Sequence, residues 1–203
     1  MKASHQINIL AIKRDTIPEK YLQDTFCSLD TESMESLAEI AEFKWRADME
    51  EDISYKQPIP YIALFCDGKL LTFKRSNTGG EGRLYDKYSL AIGGHVDQVP
   101  EMDSKTETLY ESIEREVEEE IGLDIDPYNV EPLGTINDSG GVNEYHIGIA
   151  MKYAVEDLDL SLGEQDKLLE RKLMTKHEIL EIYDKLESWS QIFFDRYLRD
   201  NMN

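Results

Sequence analysis

Apolar residues recur along this chain at two spacings, every second residue or every third and fourth, and the switches between them outline its elements. Ile7–Ile12 alternates loosely, as a strand would. From Pro18 to about Asp52 the apolar positions Leu37, Ile40, Ala41 and Trp45 fall three and four apart, which predicts a helical stretch. Pro58 and Pro60 then punctuate the chain. Tyr61–Cys66 and Lys69–Lys74 are β-rich runs on either side of Asp67-Gly68, a strong hairpin signal. Ser76–Gly82 reads as loop, and Lys87–Ile92 predicts a strand that ends at Gly93-Gly94. Thr106–Ile121 predicts a helix closed by Gly122. Strands are predicted at Val130–Ile136 and Glu144–Tyr153, with a glycine turn at Ser139-Gly140-Gly141 between them. From Thr175 the chain reads as helical almost to its end, with Ile179, Ile182, Tyr183, Leu186, Trp189, Ile192, Phe193 and Tyr197 on one broad face.

Mixed elements of this kind predict an α+β fold or a three-layer sandwich with a mixed sheet. The prolines divide the chain into an N-terminal extension, residues 1–57, packed on a main domain, residues 58–203. With 203 residues, 40% of them apolar, the chain can bury one sizeable core.

Charge narrows the range of partners. Acidic residues outnumber basic ones 42 to 22, a net charge of −20. Such a surface repels nucleic acid and anionic membranes, so neither is an expected partner. A protein this acidic that handles phosphate needs a local basic patch or bound cations. No run approaches the ~18 apolar residues of a membrane span, and no signal peptide is visible, so a cytoplasmic location is expected. Cys27 and Cys66 are the only cysteines, too few for a disulfide framework or a cysteine-based zinc site.

The chemistry concentrates in Arg115-Glu116-Val117-Glu118-Glu119-Glu120-Ile121-Gly122-Leu123. At about 100° per residue Glu116, Glu119 and Glu120 share one arc of the predicted helix, while Leu109, Ile113, Val117 and Ile121 form a neighbouring apolar stripe that docks it. Glu118 points elsewhere. Like charges at these spacings cost a few tenths of a kcal/mol per pair. Divalent cations with a preference for hard oxygen ligands, magnesium or manganese, remove that conflict.

With Gly93-Gly94 ahead of it and Glu107 near its start, this helix resembles the signature of the Nudix hydrolase superfamily: a glutamate, seven residues, Arg-Glu, an apolar residue, any residue, Glu-Glu, any residue, then glycine and an apolar residue. The match is complete from Glu107 to Leu123. One departure stands out. Twelve residues separate Gly94 from Glu107, where the family usually has five, so Val99–Lys105 reads as a seven-residue insertion. Pro60–Leu64, Arg75 with Gly80–Arg83, and Lys87–Val96 further resemble a bacterial branch of Nudix-type phosphoesterases with an extended N-terminal region and a widened Gly-Gly-His turn.

The resemblance implies a Nudix-type α/β/α sandwich with a long C-terminal helix, and hydrolysis of a phosphoanhydride bond in a nucleoside diphosphate derivative or similar small molecule. It implies that Glu116, Glu119 and Glu120 ligate Mg2+ or Mn2+ and that Arg115 orients the motif carboxylates. Gly94, Glu107 and Gly122 would be structural members of the motif. Glu144 is a candidate for a further metal ligand, with Glu164 its rival, and Arg75, Arg83 and Lys87 are candidates for substrate phosphate. His95 and His146, isolated in sequence, read as structural. Tyr85, Tyr88 and Tyr145 suit packing ahead of base stacking. The C-terminal aromatic stripe suits the core first and a homodimer interface second. Two other readings share this fold. A ligand-sensing module without catalysis would be favoured by loss of a motif glutamate, and none is missing. An isopentenyl-diphosphate isomerase type needs a cysteine in the glycine turn, and Ala91-Ile92-Gly93-Gly94-His95 has none.

Overall fold

The loose alternation at the start of the chain becomes strand β1 (Asn8–Lys13), in which Ile9, Leu10, Ala11 and Ile12 are all buried. Leu10 and Ile12 face the main core, and Ile9 and Ala11 pack with Met49 on the other side. The computed structural model describes residues 7–76, 86–138, 144–163 and 166–202.

The single helical stretch expected between Pro18 and Asp52 is corrected by the structure. It holds two short helices, α1 (Lys20–Gln23) and α3 (Arg46–Met49), two strands, β2 (Phe26–Ser28) and β3 (Glu42–Trp45), and one sustained helix, α2 (Thr31–Glu39). Asp30 caps α2 by accepting from Ser33 N–H at 2.8 Å. The three-and-four spacing misleads because it runs across a helix, its end and a strand. Leu37 is buried in α2, whereas Phe43 and Trp45 stand opposite Leu10 and Asn8 in the β1–β3 ladder.

Strand β4 (Tyr55–Cys66) runs through Pro58 and Pro60. The carbonyl of Pro60 faces Gly93, so the amide proton that proline lacks would also point to that edge. On that edge the pairing with β1 stops at Lys56 and the pairing with β7 (Ile92–Gly93) starts at Tyr61. The prolines therefore fall where a missing donor breaks no ladder bond. Asp67 and Gly68, both at positive φ, turn β4 into β5 (Lys69–Arg75).

Among the described residues the strand order is β10-β5-β4-β9-β8-β2, completed by β8 (Glu131–Ile136), β9 (His146–Val155) and β10 (Leu168–Met174). β4 and β9 are parallel and the other neighbours antiparallel, so the sheet is mixed. Ile62 and Leu64 of β4 face one core with helix α4 (Lys105–Ile121), while Tyr61 and Ala63 face a second with the C-terminal helix. Covered on both sides, β4 needs the nearly continuous apolar run it has. The result is an α/β/α sandwich.

Two predicted elements are broken. Lys87–Ile92 divides into β6 (Tyr88–Ser89) and β7, because Leu90 N–H leaves the ladder for Ser190 Oγ at 2.9 Å. The helix from Thr175 is also interrupted. α5 (Lys176–Glu181) gives way to an extended Leu186-Glu187, and the C-terminal helix begins as α6 (Ser188–Phe193), continuing through a π turn (Phe194–Leu198) to Asn201. The break has a cause: Glu187 N–H bonds Tyr88 O at 2.9 Å, and the Glu187 carboxylate is buried under the hydroxyls of Tyr61, Ser89 and Ser190.

Candidate active site

Helix α4 starts where Ser104 Oγ accepts from Glu107 N–H at 3.1 Å and ends at Gly122, left-handed at φ 73°, whose N–H bonds Glu118 O at 2.7 Å. Leu109, Ile113, Val117 and Ile121 are all buried against the sheet. That docking rotates the arc of Glu116, Glu119 and Glu120 toward the segment after β7. Glu118 is exposed. Glu107 is exposed in the first turn, where a negative charge suits the helix dipole. The extra residues before the helix lead into the N-terminal part: Lys105 Nζ bonds Glu39 O at 2.8 Å and Thr106 Oγ1 bonds Glu39 Oε1 at 2.7 Å.

Glu116 lies against Gly94, where a Cβ would overlap all three atoms of its carboxylate. Arg115 holds it from the other side, Nη1 to Oε1 at 2.8 Å, with Glu119 Oε2 3.5 Å from the same nitrogen. The second arm of the guanidinium donates to His95 O at 3.0 Å and stands 4.0 Å from Asp97 Oδ2. Glu120 is buried, and Arg75, at the end of β5, comes within 3.6 Å of its Oε1. Two arginines thus bracket the carboxylate arc. Burial pushes the Glu116 carboxyl up to about 7; the Arg115 charge opposes the rise, and the Glu120 and Glu119 charges add to it.

Asp97 carries no motif signature, and its partner Arg115 lies 115 − 97 = 18 residues away, so nothing in the spacing marks it. Its carboxyl is raised by burial, and Oδ1 is buried with no hydrogen-bond partner among the described residues. His95 and His146, without a visible partner in sequence, meet edge to face with ring centroids 5.4 Å apart, and His95 Nε2 lies 2.9 Å from Gln57 Oε1. Below them Lys56 is buried, bonding Asn137 Oδ1 at 2.9 Å and His146 O at 3.1 Å. Burial and the nearby Arg14 charge lower it to about 8.

Glu144 belongs to this basic group. It is exposed, its carbonyl accepts from Arg14 Nη2 at 3.1 Å, and its charge acts on Lys56. Lys87 supplies its carbonyl to Arg75 N–H at 2.9 Å, and Tyr88 Oη donates to Glu170 Oε2 at 2.6 Å. Tyr145 is half-buried. Arg83, Tyr85 and Glu164 lie outside the described residues. Among the described residues no three His, Cys, Asp or Glu side chains converge as a ready-made metal cluster, and no helix is long and apolar enough to cross a membrane.

A sequence model of the NUDIX domain matches residues 57–197, the stretch that contains Arg75, Gly94, His95, Asp97 and the glutamates of α4. The chain belongs to the Nudix family. It is 36% identical over 159 residues to Protein YmaB of Bacillus subtilis (strain 168), covering 74% of this chain and 75% of that one. The crystal structure of Tm1382, itself assigned to the Nudix hydrolases, superimposes with a TM-score of 0.80 at 27% identity over 95% of this chain and 98% of that one. The MutT protein from Methanosarcina mazei Go1 shares the fold, with a TM-score of 0.52 at 22% identity over 73% and 96% of the two chains. The Tm1382 match spans nearly the whole chain, so its likeness extends beyond the NUDIX match into the N-terminal strands and helices.

Proposed function

We propose that this Nudix-family protein is a metal-dependent hydrolase that cleaves a phosphoanhydride bond in a nucleoside diphosphate derivative or similar small molecule. The observation that carries the reading is the placement of Glu116 and Glu120. Two largely buried carboxylates sit one helical turn apart, and each is met by an arginine from a different element.

The donor set fits a hard divalent cation. Glu116, Glu119 and Glu120 offer only carboxylate oxygens, and their mutual repulsion, which adds to burial in raising the Glu116 carboxyl, is what Mg2+ or Mn2+ would relieve. When bound, such an ion neutralises charge on a diphosphate and supplies Lewis-acid chemistry. The protein's own contribution is orientation. Arg115 fixes Glu116 and Glu119 relative to His95 O, and Gly94 lets the backbone approach Glu116. Arg75, beside Glu120, would share its charge with a substrate phosphate. In a chain of net charge −20, the arginine pair and a bound cation are the means of receiving an anionic substrate.

The test is a panel of nucleoside triphosphates, nucleotide sugars, dinucleoside polyphosphates and coenzyme diphosphates, incubated with Mg2+ or Mn2+ beside the Glu119→Gln and Glu120→Gln variants. Metal-dependent release of phosphate or a mononucleotide, reduced at least ~100-fold in a folded variant, supports hydrolysis and names the substrate class. Absence of both turnover and metal binding by the wild-type protein would sink the reading.

A further inference from the structure

The last turn of α4 contains Glu118, Glu119 and Glu120 and no basic residue of its own, so negative charge gathers at the negative end of the helix dipole. The compensating charge arrives from the sheet edge. Arg171 of β10 donates Nη2 to Glu120 O at 3.1 Å, Nε to Leu168 O at 3.0 Å, and Nη1 to Leu162 O. One guanidinium thereby ties together the end of the glutamate-bearing helix, the segment after β9 and the edge strand.

Local backbone geometry supports this clamp. The β10–β5 ladder shifts register between Leu169 and Lys172, and Glu170 within the shift has φ 50°. Such a bulge re-aims a side chain that regular pairing would leave standing off the sheet. Gly163, left-handed at φ 71°, lies where a Cβ would overlap the Glu120 carbonyl, and a Cβ on Gly122 would come 2.8 Å from Leu162 Cβ. Leu168 pairs with Arg75, so the same two strands reach Glu120 twice: Arg75 at its carboxylate and Arg171 at its carbonyl.

We infer that Arg171 is a positioning residue for Glu119 and Glu120, fixing the end of α4 and so the metal affinity of the carboxylate arc. The inference rests on the proposed function only in taking those carboxylates as cation ligands.

The experiment compares wild type with Arg171→Met, Arg171→Lys and, as a control on the same strand, Lys172→Met. Amide hydrogen exchange and Mn2+ binding without substrate, followed by the paramagnetic signal of the free ion, are the first readouts. In Arg171→Met, exchange at residues 118–122 is expected to quicken ~10-fold or more, with residues 108–113 unchanged. Mn2+ binding is expected to weaken ~10-fold, and the metal needed for half-maximal rate to rise accordingly, with substrate KM at saturating metal altered less than ~2-fold. Arg171→Lys keeps the charge without the planar fork and falls between. Lys172→Met matches wild type. Should Arg171→Met fail to fold, Gly163→Ala presses the same carbonyl from the loop and shifts the same readouts.

Normal Mn2+ binding by the wild type with unchanged exchange and binding in Arg171→Met overturns the role of Arg171 alone. Faster exchange spread evenly over all helices also overturns it, since that is mere loss of stability. A wild type that binds no Mn2+ and hydrolyses nothing overturns the reading of the site, and this role with it.

Discussion

The carboxylate of Glu116 rests on the backbone of Gly94, and any side chain at residue 94 would occupy the space the carboxylate fills. Arg115 closes the arrangement by binding Glu116 and the carbonyl of His95, the residue after that glycine. The segment after β7 and the helix therefore fix each other through a contact that only glycine permits.

Gly94→Ala should displace Glu116 without unfolding the protein, because the clash is with the far end of one flexible side chain and not with backbone. The expected outcome is a fall of ~100-fold in kcat on whichever compound the panel identifies, with Tm within ~3 °C of wild type. A variant of undiminished kcat would show that the position of Glu116 against Gly94 does not matter.

Arg115→Lys keeps a positive charge but loses the fork that spans Glu116, Glu119 and His95 O. We expect kcat to drop ~10- to 100-fold with KM changed less than ~3-fold, the pattern of a group that orients the reacting machinery. A rise in KM at constant kcat would instead assign Arg115 to substrate binding.

Glu116 makes stability depend on pH in a definite sense. Its carboxyl is raised from 4.5 to about 7, chiefly by burial. Between those values the folded state keeps a proton that the unfolded chain has lost, so stability falls as pH rises through that window. Above it, burying the charge costs about 3 kcal/mol in metal-free protein. Urea unfolding in EDTA at pH 5 and pH 8 should show Glu116→Gln gaining on wild type by about that amount at the higher pH. Parallel pH dependences for the two proteins would refute it.

Ser190 Oγ accepts from Leu90 N–H at 2.9 Å and shares the buried network of Tyr61 and Glu187. Ser190→Ala strands a buried N–H where the chain leaves one short strand for the next, at a cost of about 2 kcal/mol, or a Tm lowered by ~5 °C. Thermal unfolding checks this directly, and an unchanged Tm would mean that water replaces the hydroxyl.

The parts of this protein legible in its sequence are those whose causes are local. The hairpin at Asp67-Gly68 depends on two residues adopting positive φ, and the motif helix on apolar positions within four turns, so both announce themselves. The motif spacing likewise placed Glu116, Glu119 and Glu120 on one arc, because helical geometry alone decides that. Other features depend on residues far apart in the chain. The three-and-four apolar spacing before Pro58 was divided between helix and strand because Phe43 finds Leu10 across a ladder. The C-terminal helix breaks at Glu187 because three hydroxyls from the sheet side and the helix solvate its carboxylate. Asp97 meets its charged partner, Arg115, 18 residues away, and Arg171 reaches Glu120 across 51 residues. Local pattern singled out the residues proposed to carry the chemistry. Which groups surround and orient them was decided by tertiary packing, since burial and charge pairing arise only when distant segments meet.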